Sequence, residues 1–574
     1  MPPQFLIHLD RDVRRADGAH VATSADGSAV VAVLGHVANP AARAAQILAA
    51  VPKEGPFTPP RSIGDTGYVV CDRRTGTTAV VAAEIGISQI YWASNSSGLW
   101  LASEPAKLQE CGVDTGGVSA QGLYQYVYFH CIPGPGSFFP GVKKLDGGHV
   151  LHWAGDQAQV SRYWRPEFNE SESQPLAAAS AHLHEELRKA VERAMGNTAS
   201  VGAFLSGGLD SSTVSGVAAR IRPQIPTISM GFDAAGYDEM EYARCAASHF
   251  KTRPLEYYVT PEDVLSTLPS IAAAFPEPFG NSSAAAVYQC ARVARENGIE
   301  LLLAGDGGDE IFGGNERYAK QLVFERYGQV PRPVRAGLIE PLVAGASRMT
   351  TAFLVGKARS YIAQANVPLP DRLQSYNFLH RHDPSEIFSP DLLAAVDKAA
   401  PLQLLREEYN LPKDASAVNR MLFLDWKFTL HDNDLVKVNT MCHLAGVNVA
   451  YPMLDPSLID FSMTVPATWK VRDGELRWFY KRAMESFLPD KIINKSKHGF
   501  GLPFGVWTRS HAGLRALAKS ALDSLGRRGF FRAEFLENAL RLHEEAHAGY
   551  YGELVWIFTV LELWLQARMP NARL

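Results

Sequence analysis

Phe204-Leu-Ser-Gly-Gly-Leu-Asp-Ser-Ser-Thr213 decides how the chain is read. Before it, Val201, Ala203 and Leu205 alternate with small residues, as in a short buried strand. After it, Val214, Val217, Ala218 and Ile221 recur at helical spacing. The stretch is therefore a glycine-rich loop that joins a strand to a helix N-terminus. Gly207 and Gly208 let the backbone approach an anion closely. Ser206, Ser211, Ser212 and Thr213 add hydroxyl donors, and the helix start adds unpaired N–H groups and a positive dipole end. Such a loop cradles pyrophosphate. It is not a Walker loop: G-x-x-x-x-G-K-[ST] does not occur, and Gly356-Lys357 is followed by Ala358.

Working outward, residues from about 200 to 305 alternate strand and helix, which implies a parallel sheet covered on both faces. Thr227–Phe232 reads as the second strand, and Glu300–Ala304 as another. The latter runs into Gly305-Asp-Gly-Gly-Asp-Glu310, three carboxylates on a glycine loop. Ligands of open parallel sheets bind beyond the C-terminal strand ends, so the two loops are expected to border one site. Clustered carboxylates repel one another unless a cation neutralises them, and Mg²⁺ held with phosphate oxygens is the usual partner in nucleotide chemistry.

Residues 1 to about 165 read as β-rich, with short β-branched or aromatic runs at Phe5–Leu9, Ala29–Leu34, Gly67–Cys71, Thr78–Ala83 and Ile90–Ala93. Acidic, polar Pro166–Pro175 is the linker candidate, Leu176–Met195 a helix, and residues 320–574 mostly helix. At 574 residues, two or more domains are expected. A formal net charge of −4 offers no general field for nucleic acid or an acidic membrane. No apolar run reaches the roughly 18 residues needed to span a bilayer. The six cysteines are scattered with no CxxC pair, which points to reduced thiols and a cytoplasmic location.

Two further motifs carry cations. Lys495-Ser-Lys-His-Gly-Phe-Gly501 offers mobile lysines of the kind that stabilise an oxyanion and a departing pyrophosphate. His543-Glu-Glu-Ala-His547 fits H-E-x-x-H, but no third ligand suggests itself. A polar helix end is the better reading.

Ser206–Ser212 resembles the PP-loop of ATP pyrophosphatases, and with the other motifs in order the chain resembles the asparagine synthetase family along nearly its whole length. The N-terminal resemblance rests on Ile85–Ile87, Ile90–Trp92, Leu101–Glu104, Lys143–His149 and Arg162–Trp164. The C-terminal one rests on Ser206–Ser212, Ser229–Phe232, Tyr237–Glu239, Glu277–Phe279, Gly305–Gly314, Asp432–Val438, Tyr451–Asp455, Leu488–Asp490 and Lys497–Gly501. The resemblance implies an α/β and α+β protein of two domains. Residues 1–165 would form a degenerate glutaminase-like (Ntn-hydrolase-like) β-sandwich. Residues 176–574 would form a PP-loop synthetase with a parallel sheet and a helical extension. It further implies ATP and Mg²⁺ as cofactors. Asp210 and Asp309 would ligand the metal, and Leu205, Ser206, Gly207, Gly208, Leu209, Asp210, Ser211, Ser212, Met230 and Gly305 would line the ATP site. Asp306 would sit beside the reacting amine, Lys497 would stabilise the intermediate, and Asp432 would be a second acid/base. A homodimer is an expectation from the family alone.

The departures redirect this reading. The family's glutaminase uses a cysteine that becomes the first residue after Met removal. Here the sequence opens Met1-Pro2-Pro3, and its earliest cysteine is Cys71. Asn448 and Ala450 stand where the family usually has Glu and Arg. The expectation is an AMP- and pyrophosphate-forming amide synthetase that couples a carboxylate to an amine without hydrolysing glutamine. Its rivals are an intramolecular cyclase making a lasso-peptide macrolactam or β-lactam, an ammonia-dependent asparagine synthetase, a tRNA thiolase and a non-catalytic scaffold.

Overall fold

The computed structural model describes the chain except residues 1–3, 11, 36, 38, 54, 56, 156, 172–173, 235, 350–352, 496–500, 546–547 and 574. Two antiparallel sheets face each other in the N-terminal region. One runs in the order Val13–Asp17, Leu6–Leu9, Gly98–Ala102, Tyr91–Asn95, Lys143–Lys144. The other runs Gln157–Arg162, His149–Ala154, Thr77–Val81, Tyr68–Asp72, Ala29–Val33, His20–Thr23. Alternation along the strands sends Ile7, Leu9, Leu99 and Leu101 of the first sheet against Val30, Val69, Val80 and Leu151 of the second. Ala29–Val33 is buried on both faces because the helix Pro40–Ala50 lays Ala44 and Ile47 over its other side. That double cover explains why its sequence is apolar throughout instead of alternating.

The C-terminal region is built on a parallel sheet of β1 (Val201–Phe204), β2 (Pro226–Phe232), β3 (Arg253–Val259), β4 (Leu301–Leu303) and β5 (Asn448–Ala450), in the order β3-β2-β1-β4-β5. The chain moves outward from β1 to β3, then returns to β1's other side with β4. The strand order therefore reverses between β1 and β4, where an open sheet places its ligand crevice. Residues 320–574 are not purely helical: β5 and a small hairpin, Val471–Arg472 with Glu475–Leu476, interrupt them.

Buried polar contacts join the two regions. Lys144 Nζ lies 2.6 Å from Glu277 Oε2, both side chains 6% exposed. Glu277 also accepts from the Phe138 amide at 2.5 Å and from the Tyr91 hydroxyl at 3.1 Å. Asn169 and Glu170 of the Pro166–Pro175 stretch are tied to the C-terminal region. Asn169 N–H donates to Met463 O at 2.8 Å, and Glu170 accepts from the Ser416 amide and Asn419 Nδ2, each at 2.8 Å. No helix among the described residues is long and apolar enough to cross a membrane.

Glu84 borders the small cleft between the two regions, and its buried Oε1 has no hydrogen-bond partner among the described residues. Burial raises its carboxyl to about 7, from 4.5, with Arg61 opposing. A carboxyl raised in the fold loses stability as pH climbs through that interval, because the folded state must give up its proton or keep it against solvent. Glu84→Gln is therefore expected to raise the denaturation midpoint at about pH 8, with no advantage at about pH 4. An equal gain at both values would contradict this.

Candidate functional site

The loops after β1 and β4 meet because their glycines leave no side chain between them. A Cβ on Gly305 would lie 2.7 Å from the Ser211 amide nitrogen, and one on Gly308 would lie 2.2 Å from Asp210 Oδ1. Within the first loop, Ser206 and Ser211 hydroxyls are 3.0 Å apart, and Gly208 opens the helix α1 (Leu209–Ile221) as its N-cap. Leu205 N–H donates to Ile228 O at 2.9 Å, and Ser229 Oγ donates to Leu205 O at 2.7 Å. These bonds hold the β1 and β2 ends, with Leu205 and Met230, at one rim of the crevice. Ser212 is fully buried in α1.

Asp210 and Asp309 converge on one guanidinium. Arg477 Nη1 lies 2.8 Å from Asp210 Oδ2, and its Nη2 lies 2.5 Å from Asp309 Oδ1. The hairpin places it there: Asp473 and Gly474 take positive φ in its turn, and Arg477 itself has φ of 55° at the start of the helix Trp478–Met484. Burial opposes the charge on Arg477, but the two carboxylates outweigh it and hold the guanidinium protonated. Two carboxylates close enough to share a single cation, on glycine-rich loops, are a donor set that suits a hard divalent ion.

Asp306, on the same acidic loop, is buried within electrostatic reach of Lys437, Asp434 and Asp210. Burial raises its carboxyl to about 6, helped by Asp434 and offset by Lys437. Lys437 donates to Asp434 Oδ1 at 2.6 Å. Burial works against the Lys437 charge, yet Asp434 and Asp306 keep its pKa above the ordinary value. Tyr451 donates to Asn439 Oδ1 at 2.9 Å, and Asn439 Nδ2 donates to Ile87 O at 2.7 Å, which anchors this wall to the N-terminal region. The arrangement can hold a triphosphate between the loops and take up a proton at Asp306.

The sequence model for asparagine synthase matches residues 182–566, and that for a glutamine amidotransferase domain matches residues 34–164. The chain belongs to the asparagine synthase family. It is 25% identical over 431 residues to a glutamine-hydrolyzing asparagine synthetase of Bacillus subtilis, covering 74% of this chain and 65% of that protein. Against a putative glutamine-hydrolyzing asparagine synthetase of Mycobacterium bovis it is 25% identical over 522 residues, covering 88% and 74% respectively. A third relative, a putative asparagine synthetase of Methanocaldococcus jannaschii, is 29% identical over 265 residues, covering 44% and 49%. The family consists of ATP-dependent ligases that join a carboxylate to an amine or ammonia.

Within the asparagine synthase frame, Asp432 has a different setting from the one expected. It is 1% exposed and faces the N-terminal region: its Oδ1 accepts from the Gly134 amide at 3.3 Å, and Lys427 Nζ lies 3.6 Å from its Oδ2. Residues Trp426–Asp434 form a π-helix, and positions two apart on a helix face different ways, so Asp434 turns toward Asp306 while Asp432 turns away. Asp146, His431 and Asp432 bring candidate metal ligands within 4.8 Å of one another, with the Lys427 ammonium 2.7 Å from Asp146.

Lys497 falls outside the described residues, as does His547 of the H-E-x-x-H string. His543 is committed to a hydrogen bond with Gly505 O at 2.7 Å, which suits a structural residue. Arg477, Lys437 and Asp434 are functional candidates not singled out from sequence. The Asp473-Gly474 pair, a hairpin signal ahead of Arg477, was the available clue.

Arg477→Ala is expected to lower the stability of the nucleotide-free protein by about 2 kcal/mol, below the ~3–5 typical of a fully buried pair because Asp309 keeps 23% exposure. Millimolar-range Mg²⁺ should then raise the midpoint more in the variant than in the parent. Equal Mg²⁺ responses would separate these carboxylates from metal binding.

Proposed function

We propose that the chain is an ATP-dependent, AMP- and pyrophosphate-forming amide synthetase that adenylates a carboxylate and couples it to an amine without hydrolysing glutamine. The observation that carries this reading is the abutment of Gly305 and Gly308 on Ser211 and Asp210, which makes one site of a phosphate loop and an acidic loop. The acceptor carboxylate attacks the α-phosphorus, the bond to the β-phosphate oxygen breaks, and pyrophosphate remains at Ser206–Ser212. The amine then attacks the acyl carbon, its proton passes to Asp306, and AMP leaves with the electrons of the carbon–oxygen bond. Asp210 and Asp309 would hold Mg²⁺, which supplies charge neutralisation on the phosphates when bound. Leu205 and Met230 would flank the adenine, and Lys497 would stabilise the acyl-adenylate.

Independence from glutamine is supported by two of the three cysteines of the N-terminal region; the third, Cys111, is partly exposed and lies 3.4 Å from Arg15 Nη1. Cys71 is buried in Tyr68–Asp72, where burial pushes its thiol up to about 11, and burial likewise raises Cys131 above the usual thiol range. Neither suits a thiolate nucleophile. Asn448 and Ala450 lie on β5, paired with Leu301 and Leu303, so the strand edge beside the acidic loop lacks the charged pair that would favour aspartate. That neutral edge also supports the second reading, an intramolecular cyclase of lasso-peptide or β-lactam type.

A screen of carboxylic acids with ammonia or amines present, read as pyrophosphate release, tests the proposal. At least one acid should yield AMP and pyrophosphate, and Asp309→Ala should remove the signal while leaving the folded midpoint close to the parent's. Product mass separates the two readings: loss of water without uptake of an amine indicates cyclisation. Release of ammonia from glutamine, or an absence of ATP binding, would overturn the assignment.

A further inference from the structure

A polar cavity of about 640 Å³ opens within the helical region, and no residue of either glycine-rich loop lines it. Its charged lining is four arginines, Arg332, Arg335, Arg372 and Arg420, against two glutamates, Glu325 and Glu340. The glutamates are engaged. Glu325 pairs with Arg372, which also donates to Gln321 Oε1 at 2.5 Å. Glu340 accepts from Asn366 Nδ2 at 3.0 Å.

The remaining arginines have no carboxylate partner among the described residues. Arg420 donates from Nε to Ala415 O at 3.1 Å and from Nη2 to Lys413 O, so its hydrogen-bond acceptors among the described residues are carbonyl groups. Arg335 lies over the Tyr327 ring at 5.5 Å, and its buried Nε has no acceptor among the described residues. Arg332 is exposed at the cavity mouth. A buried guanidinium N–H without an acceptor is costly, and an ionised oxygen is the partner that relieves it best.

We propose that this cavity binds a small-molecule polyanion, a ligand bearing two or more carboxylate or phosphate groups, through Arg332, Arg335 and Arg420. The volume lies in the range of small-molecule sites. The cations are arginines without exception, the side chain whose planar fork matches carboxylate and phosphate oxygens. The Tyr409 ring under Arg420, at 5.7 Å, helps fix that fork before any ligand arrives. The site does not depend on the synthetase reading, since it shares no residue with the ATP crevice.

Titration calorimetry on the full chain at low salt tests this with two probes, citrate for carboxylates and fructose 1,6-bisphosphate for phosphates. At least one should bind at one site per chain, and whichever binds identifies the anionic group. Its affinity should fall tenfold or more in Arg335→Ala/Arg420→Ala and remain unchanged in Asp309→Ala. Arg332→Glu, at an exposed position outside the packed core, should weaken the same probe several-fold. Binding of neither probe, survival in the double variant, or no response to Arg332→Glu would overturn the proposal.

Discussion

Asp306→Asn should lower the rate of amide formation by about 100- to 10,000-fold, the range for losing a general base, while ATP still binds. The amide side chain keeps the size and polarity of the carboxylate but cannot accept the amine's proton. With a carboxyl raised to about 6 by burial, the parent enzyme should lose activity below that value, because the protonated acid is no longer a base. The rate should climb about tenfold per pH unit below about 6 and level off above it, and Asp306→Asn should abolish this limb. Since Lys437 opposes the upward shift, Lys437→Met should move the limb to higher pH. An unchanged limb in Asp306→Asn would assign the proton to another group. A large loss of ATP affinity would instead make Asp306 a member of the nucleotide site.

The same residues mark how far the sequence could be read. Both loops were legible because their chemistry is local: glycines, hydroxyls and carboxylates sit within a few positions of one another and follow apolar runs. The strands Ala29–Val33 and Tyr68–Asp72 were legible because burial on both faces leaves a continuous β-branched run. Val13–Asp17 and His20–Thr23 were not, because they lie in exposed or edge positions and carry Arg14, Arg15 and His20 where an apolar alternation would otherwise show. β5 was missed for another reason. Three residues, Asn448–Ala450, are too few for periodicity, and only pairing with β4 from about 150 positions away makes them a strand. Arg477 reaches the carboxylates over 267 positions from Asp210, and Asp432 and Asp434 diverge only once the π-helix sets their directions. Contacts fixed by long-range packing leave little trace in neighbouring residues; for Arg477 it amounts to the Asp473-Gly474 turn ahead of it.

Lys427→Ala is expected to cost about 3–5 kcal/mol of folding free energy, the range for removing one member of a buried ion pair. Its ammonium lies 2.7 Å from Asp146 Oδ2, across the seam on the segment before the strand His149–Ala154, and 3.6 Å from Asp432 Oδ2 on its own π-helix. Lys427 is 10% exposed, Asp146 13% and Asp432 1%, so water cannot replace the lost charge without opening the seam. Burial tends to raise the Asp146 carboxyl, but Lys427, His431 and His149 together hold it down to about 2. A carboxyl depressed in the fold contributes stability above its unfolded value of 3.8 and gives that stability up as pH falls through about 2. The parent and Lys427→Ala should therefore differ most above about pH 4 and converge in stronger acid. Lys427→Met, which restores the aliphatic stem without the charge, separates packing from electrostatics: it should recover only a minor fraction of the loss. Denaturant titrations across that pH range give both comparisons. If Lys427→Met restored the parent's midpoint, the seam would be held by the stem's packing, and the two carboxylates would have found their neutralising charge elsewhere.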